Sequence, residues 1–258
     1  MIDIKTEKEI GIMQKGGKIL AEVLFEVLAN AKPGVSELEL DALAEKLILE
    51  KGGEPGFKKV PGYKNTICVS VNAVVVHGIP TEYKLRDGDI LGIDCGVYFE
   101  GLHTDMAETL RVKSQISNFK FQKTGEIDNF LETGKRALEE AIKQATVGNR
   151  IGDISQTIQK IVEASGYSVV RSLIGHGVGR QLHEEPEVPG FLTGKIEKTP
   201  FLVEGMTIAI EVIYNMGKKG VMLANNDNWT IKTQDGSLSG LFERTVAVTK
   251  NGPLVLTQ

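Results

Sequence analysis

From Thr6 onward the apolar residues Ile10, Met13, Leu20, Leu24 and Val27 recur at intervals of three, four or seven, with lysines and glutamates between them. That spacing lines up one face of a helix and predicts an amphipathic first helix starting at Thr6. Lys32-Pro33-Gly34 interrupts the pattern. Ser36, followed three residues later by Glu39, has capping-box spacing, so a second helix is expected to about Lys51, closed by Gly52-Gly53. Residues 52–63 carry too many glycines and prolines for regular structure, whereas the β-branched density of residues 64–79 suits strands. Extended runs at 89–97 and 104–112 flank Glu100-Gly101, which can supply the tight turn of a hairpin. Asp94 and Asp105 are then expected opposite or diagonal on adjacent strands. Residues 113–129 are polar and read as a surface excursion, followed by helical patterns at 130–146 and 152–164. Further strands are expected within 168–179, 207–217, 228–233 and 243–248.

Helix pairs thus alternate with sheet segments, an α+β arrangement. An internal repeat sharpens it: Asp87 to Asp94 can be laid on Glu204 to Glu211 without a gap, and both segments end in a carboxylate. Two related halves about a pseudo-twofold axis follow, each giving a helix pair and a strand that delivers one acid. A length of 258 residues fits one undivided domain spanning 1–258. The net charge of −4 is too small, and of the wrong sign, for a general affinity for nucleic acid. The N-terminal stretch interleaves charges with apolar residues, so it lacks the core of a signal peptide and leaves no room for an extra N-terminal domain; no later run approaches a membrane span. A soluble, cytoplasmic protein is expected. Cys68 and Cys95 do not make a disulfide framework; buried or pocket-lining thiols are favoured, and a single bridge stays open.

Asp94 lies in the apolar run ILGIDCGV, where an unpaired carboxylate carries a heavy desolvation cost. The same problem recurs at Asp105, at Glu211 in MTIAIEVIY and at Glu243 in ERTVAV. Four acids in sheet contexts call for a shared cation, and a pair of divalent metals is the economical candidate. His176, flanked by Gly175 and Gly177, adds a nitrogen ligand. Such an oxygen-rich set suits Mn, Fe, Co or Zn, and two such ions can hold a water or hydroxide that attacks a carbonyl. Each position also has a plainer reading. Any one acid alone is more often a salt bridge or a strand end, His77 and His103 are loop histidines satisfied by backbone, and His176 and His183 read equally well as surface histidines near acidic neighbours.

Several ordered segments together resemble one family: NAVVVHGIP (72–80), GDILGIDCGVYFEGLHTDMAET (88–109), GHGVGRQLHEEPEVPGF (175–191), EGMTIAIE (204–211) and NWTIKTQDGSLSGLFERTVAVTKNG (228–252). Across essentially the whole chain they resemble type I methionine aminopeptidases, which have the pita-bread fold: two pseudo-symmetric halves with a curved antiparallel sheet covered by helix pairs. The resemblance implies that Asp94 chelates one metal, Asp105 and Glu243 bridge two, and His176 with Glu211 complete the second. It implies that His183 hydrogen-bonds the scissile carbonyl, His77 contacts the peptide nitrogen and Glu211 shuttles the proton. It places Tyr63, Cys68, Leu182 and Trp229 around the methionine side chain, although the single Trp reads equally well as core. The implied substrates are the N-termini of nascent polypeptides, with the ribosome as an expected place of encounter, whose initiator methionine is removed when the second residue is small; a monomer is expected.

The chain departs from the family's common pattern at Leu182, where an aromatic is usual, at Val212 in place of proline, and at Arg244 in place of histidine. None removes a ligand, and Arg244 is expected to pair with a ligand carboxylate. Two other functions fit the same residues less well: an Xaa-Pro peptidase of the same fold, and a non-catalytic shell that binds peptide or RNA.

Overall fold

The computed structural model describes residues 2–113, 125–224 and 227–258. The first half comprises α1 (Glu7–Asn30), α2 (Glu37–Glu50), β1 (Glu54–Pro55), β2 (Ile67–Val71), β3 (Val74–Val76), β4 (Ile90–Phe99) and β5 (Leu102–Arg111). The second comprises α3 (Gly125–Lys143), α4 (Ile151–Ala164), β6 (Ser168–Val169), β7 (Gly175–Gly177), β8 (Glu184–Val188), β9 (Thr207–Asn215), β10 (Val221–Leu223), β11 (Ile231–Thr233), β12 (Ser239–Thr249) and β13 (Gly252–Val255).

Local chemistry sets several of these boundaries. Thr6 and Ser36 each accept from the backbone N–H three residues on, while Glu9 and Glu39 reach back to the cap N–H, so both predicted starts are closed capping boxes. Glu100 and Gly101 have φ of 47° and 93°, the left-handed pair that a two-residue hairpin turn between right-twisted strands demands. Two expectations need correction. Residues 125–129 are the first turn of α3 and do not belong to the excursion expected over 113–129, whose residues 114–124 lie outside the described part. The strand expected over 168–179 is two short pieces, because loop backbone separates Val169 from Gly175.

Among the described residues, ten strands form one sheet whose path runs β1-β4-β5-β12-β9-β7-β8, with β2 beside β4, β6 beside β9 and β13 beside β12. The halves meet where β5 and β12 pair over only two positions, Glu243 with Ala107 and Arg244 with Met106. On either side of that seam, a long hairpin (β4–β5) and a long antiparallel pair (β9–β12) occupy corresponding places. One core lies between α1, α2 and the first of these, around Leu24, Ile48, Ile93 and Met106. The other lies between α3, α4 and the second, around Phe130, Ile158, Ile210 and Phe242.

Strand residues alternate between faces, so what the helices cover determines what the other face offers. In β4 Ile93 and Cys95 lie under the helices and Asp94 turns away; in β5 Met106 lies under them and Asp105 turns away. In β9 Ile210 and Val212 are core and Glu211 turns away; in β12 Phe242 is core and Glu243 turns away. Four carboxylates from four strands therefore share the uncovered face.

Candidate active site

The four acids are brought together by register. Asp94 faces Ala107 and Gly96 faces Asp105 across β4 and β5, so the two aspartates are diagonal neighbours, one of the two arrangements expected. Glu211 and Glu243 face each other directly across β9 and β12, and Glu243 also faces Ala107 across the seam. β7 lies on the far edge of β9 with His176 opposite Ala209, two residues from Glu211. The His176 Nε2 atom stands 3.6 Å from Glu211 Oε1 and 3.9 Å from Asp105 Oδ2. One donor atom each from Asp105, His176 and Glu243 falls within 4.8 Å of the others. Backbone and threonine bonds fix this placement: Asp105 N–H donates to Thr245 Oγ1 at 2.9 Å, the Thr245 hydroxyl donates to the Asp105 carbonyl at 2.8 Å, and Met106 N–H donates to Asp105 Oδ1 at 3.0 Å.

So much negative charge in one wall is unstable by itself. Burial raises the pKa of Asp94, Asp105, Glu211 and Glu243; neighbouring acids raise the last three further, while a hydrogen bond with Asp105 partly offsets the rise at Asp94. Asp94 is pushed up to about 7. Asp94 Oδ1 and Glu243 Oε1 are buried with no hydrogen-bond partner, and among the described residues no Lys or Arg lines the cavity. An uncompensated buried carboxylate costs several kcal/mol, so this donor set fits divalent cations, which supply the missing charge. The histidine is prepared to join them. Its Nδ1 lies 2.8 Å from the Gly177 carbonyl, which can only accept, so the proton sits on Nδ1 and the Nε2 lone pair faces the acids. Burial and the neighbouring imidazoles hold its pKa down to about 3, leaving it neutral.

Two further histidines border the cluster. The His183 ring lies 4.4 Å from that of His176, and burial lowers its pKa. His77 follows β3 in a left-handed conformation (φ 55°), uncommon outside glycine, and is also held neutral by burial. Both line the same cavity as the five candidate ligands. At its apolar end Tyr63, Cys68 and Leu182 are buried together, with Trp229 half-buried against them. Tyr63 meets Trp229 edge-on at 5.2 Å and donates to the Ile67 carbonyl at 2.7 Å, which holds the aromatic corner still. Burial and the nearby aspartate push the Cys68 thiol well up, so it presents neutral sulfur.

Every residue singled out from the sequence as ligand, catalytic group or pocket wall thus lines one cavity. Phe57, Val60, Leu173 and Ile174 line it too and escaped sequence reading. Phe57 sits in a short 3-10 turn inside the stretch read as irregular, where no periodicity marks it. Two expectations fail here. Arg244 does not pair with a ligand carboxylate: it lies on the opposite strand face from Glu243 and donates to Glu108 Oε2 at 2.7 Å and to the Glu243 carbonyl at 2.7 Å. His103 is not satisfied by backbone through its ring, since its buried Nδ1 has no partner and the ring instead packs on Tyr98 at 4.7 Å. Cys68 and Cys95 are both free and buried, which closes the question of a bridge.

A buried acid-and-imidazole cluster beside an apolar pocket, on the seam of a two-half sheet, defines a metallopeptidase site. Residues 11–250 match the model of metallopeptidase family M24, and the chain belongs to that family. Relatives similar over the whole chain include methionine aminopeptidases. That of Clostridium perfringens is 44% identical over 257 residues, covering 100% of this chain and 99% of the relative. Methionine aminopeptidase 1 of Bacillus subtilis is 41% identical over 258 residues, with 100% of both covered. The crystal structure of methionine aminopeptidase from Thermotoga maritima superposes with a TM-score of 0.93 at 38% identity over 100% of both chains. A prolidase from Pyrococcus furiosus shares only the fold, with a TM-score of 0.77 at 23% identity and 65% of its chain covered. The fold is the pita-bread fold.

Proposed function

We propose that this protein hydrolyses the N-terminal methionine from new polypeptides whose second residue is small. The observation that carries the reading is the convergence of four acids and His176, with no Lys or Arg among the described lining residues, on the rim of an apolar pocket. The similarity to methionine aminopeptidases at 41–44% identity over the whole chain supports it. Because both halves contribute acids, residues 1–258 act as one catalytic domain.

Asp94, Asp105, His176, Glu211 and Glu243 would hold two divalent ions, of Co, Mn, Fe or Zn. When bound, such ions supply Lewis-acid polarisation of the scissile carbonyl and an activated water. The protein supplies the remainder. Tyr63, Cys68, Leu182 and Trp229 receive the methionine side chain, whose polarizable thioether suits aromatic and sulfur walls. His183 donates to the carbonyl oxygen as negative charge develops there, at a position where a neutral imidazole costs no reorganisation. His77 contacts the peptide nitrogen. Glu211 accepts a proton from the attacking water and returns it to the leaving amine.

A peptide panel on metal-loaded protein tests this. Release of methionine from Met-Ala-Ser, with Xaa-Pro bonds left intact, is expected; cleavage of Xaa-Pro bonds alone would overturn the reading.

A further inference from the structure

His183 lies between β7 and β8, outside either strand. It ends a short loop, residues 179–183, whose first part is tied to the sheet: His103 N–H donates to the Gly179 carbonyl at 2.7 Å, and Val178 N–H donates to the Thr207 carbonyl at 3.1 Å. The His183 end meets the sheet at Glu184, the first residue of β8, which pairs with Gly177 of β7, and the Glu184 side chain adds a second anchor. Glu184, the next residue, accepts from Gln181 N–H at 2.9 Å through Oε1, and its Oε2 forms an ion pair with Lys5. That pair is buried, with the Lys5 side chain 1% exposed and the Glu184 side chain 10% exposed.

A buried lysine is expensive unless its surroundings are made for it, and here they are. Lys5 Nζ also donates to the Asp3 carbonyl at 3.3 Å, and Lys5 N–H donates to the Gly205 carbonyl at 2.8 Å. A side chain at Gly179 would begin 2.5 Å from Lys5 Nζ, and one at Gly205, where φ is 89°, would begin 2.7 Å from the Lys5 carbonyl oxygen. The two glycines leave the N-terminal segment a channel across the loop. Outside the buried pair, Arg180 from the same loop bonds Asp3 at 2.6 Å and also Glu9, the acid that closes the N-cap of α1. Residues 3–9 therefore strap the His183 loop to the start of α1.

We propose that Lys5 and Glu184 are positioning residues that hold His183 over the metal cluster during turnover. This rests on the reading of His183 as donor to the scissile carbonyl. A donor tuned to a developing charge loses most of its effect when misplaced by about an ångström, so the strap acts on the transition state more than on substrate binding.

Lys5→Met keeps the apolar stem and removes the charge; Glu184→Gln keeps an acceptor for Gln181. With Met-Ala-Ser, each is expected to lower kcat by about tenfold to a hundredfold with KM and bound metal unchanged. In a His183→Ala background the same substitutions should cost nothing further, because the group they position is gone. Folded variants with unaltered kcat, or an equal loss in the His183→Ala background, would overturn the proposal. If His183→Ala by itself leaves kcat unchanged, the assigned role of His183 fails instead. Should Lys5→Met fail to fold, Arg180→Ala, at the exposed end of the same strap, is expected to show a smaller loss of the same kind, and none would count against the proposal.

Discussion

At the scale of single residues, the site is a set of groups that are costly where they stand. Asp94 has one carboxylate oxygen buried without a partner, and only a bound cation compensates it. Asp94→Ala is therefore expected to abolish turnover and yet leave the metal-free protein at least as stable as the parent, since an uncompensated buried charge has been removed. Denaturant unfolding in the presence of a chelator checks this, and a loss of more than about 2 kcal/mol would assign Asp94 a purely structural role. Gly96 offers a second check. A methyl there would begin 2.8 Å from Phe57 Cε1, driving that ring into the pocket. Gly96→Ala should raise KM for methionyl peptides severalfold with a smaller change in kcat, read from steady-state kinetics. The acids were legible in the sequence because charge inside apolar runs stands out. Phe57 and Val60 were not, because apolar residues in an irregular loop carry no period.

Among the elements, the helices hold the sheet by close approach at small residues. A side chain at Gly134 on α3 would overlap the Phe242 ring of β12 and begin 2.6 Å from Tyr214 Oη on β9. A side chain at Gly17 on α1 would begin 2.7 Å from the Leu256 carbonyl carbon, beyond β13. Gly134→Ala and Gly17→Ala raise helix propensity but overpack these contacts. Each is expected to destabilise by about 1–3 kcal/mol, measured by urea unfolding; a gain in stability would show that propensity outweighs the clash. The start of α2 was legible to the residue, since its capping box is local chemistry, and that of α1 from the period of its apolar face. The start of α3 was not: residues 125–129 are as polar in sequence as the residues before them, and their helix is fixed by Phe130 entering the core.

For the whole molecule, charge and proton binding are linked. The raised carboxylates mean that the metal-free fold binds more protons than the unfolded chain between the ordinary carboxylate range and about pH 7. Its stability from these groups is intact at acid pH and falls as pH rises through the raised values. His176 is neutral above about pH 3, so the metal need not displace a proton from it over this range. The gain in Tm on adding metal should therefore grow from about pH 4.5 to about pH 7.5, with protons released on binding. Paired thermal scans with chelator and with metal check it; a gain independent of pH would show that the acids are already ionised in the metal-free protein.

The sequence by itself determined the local features: where α1 and α2 start, where a hairpin turns, that Asp94 and Glu211 are counterparts in a repeat, and that five residues match one family's ligand pattern. These follow from short-range spacing and from chemistry carried by residue type. Tertiary structure alone decided that Arg244 turns from Glu243 to Glu108, that His103 packs on Tyr98, and that Lys5 reaches Glu184, 179 positions along the chain. Such pairings depend on strand register and on which face the helices cover. Both are settled by burying two cores at once, a condition that no local stretch of sequence contains.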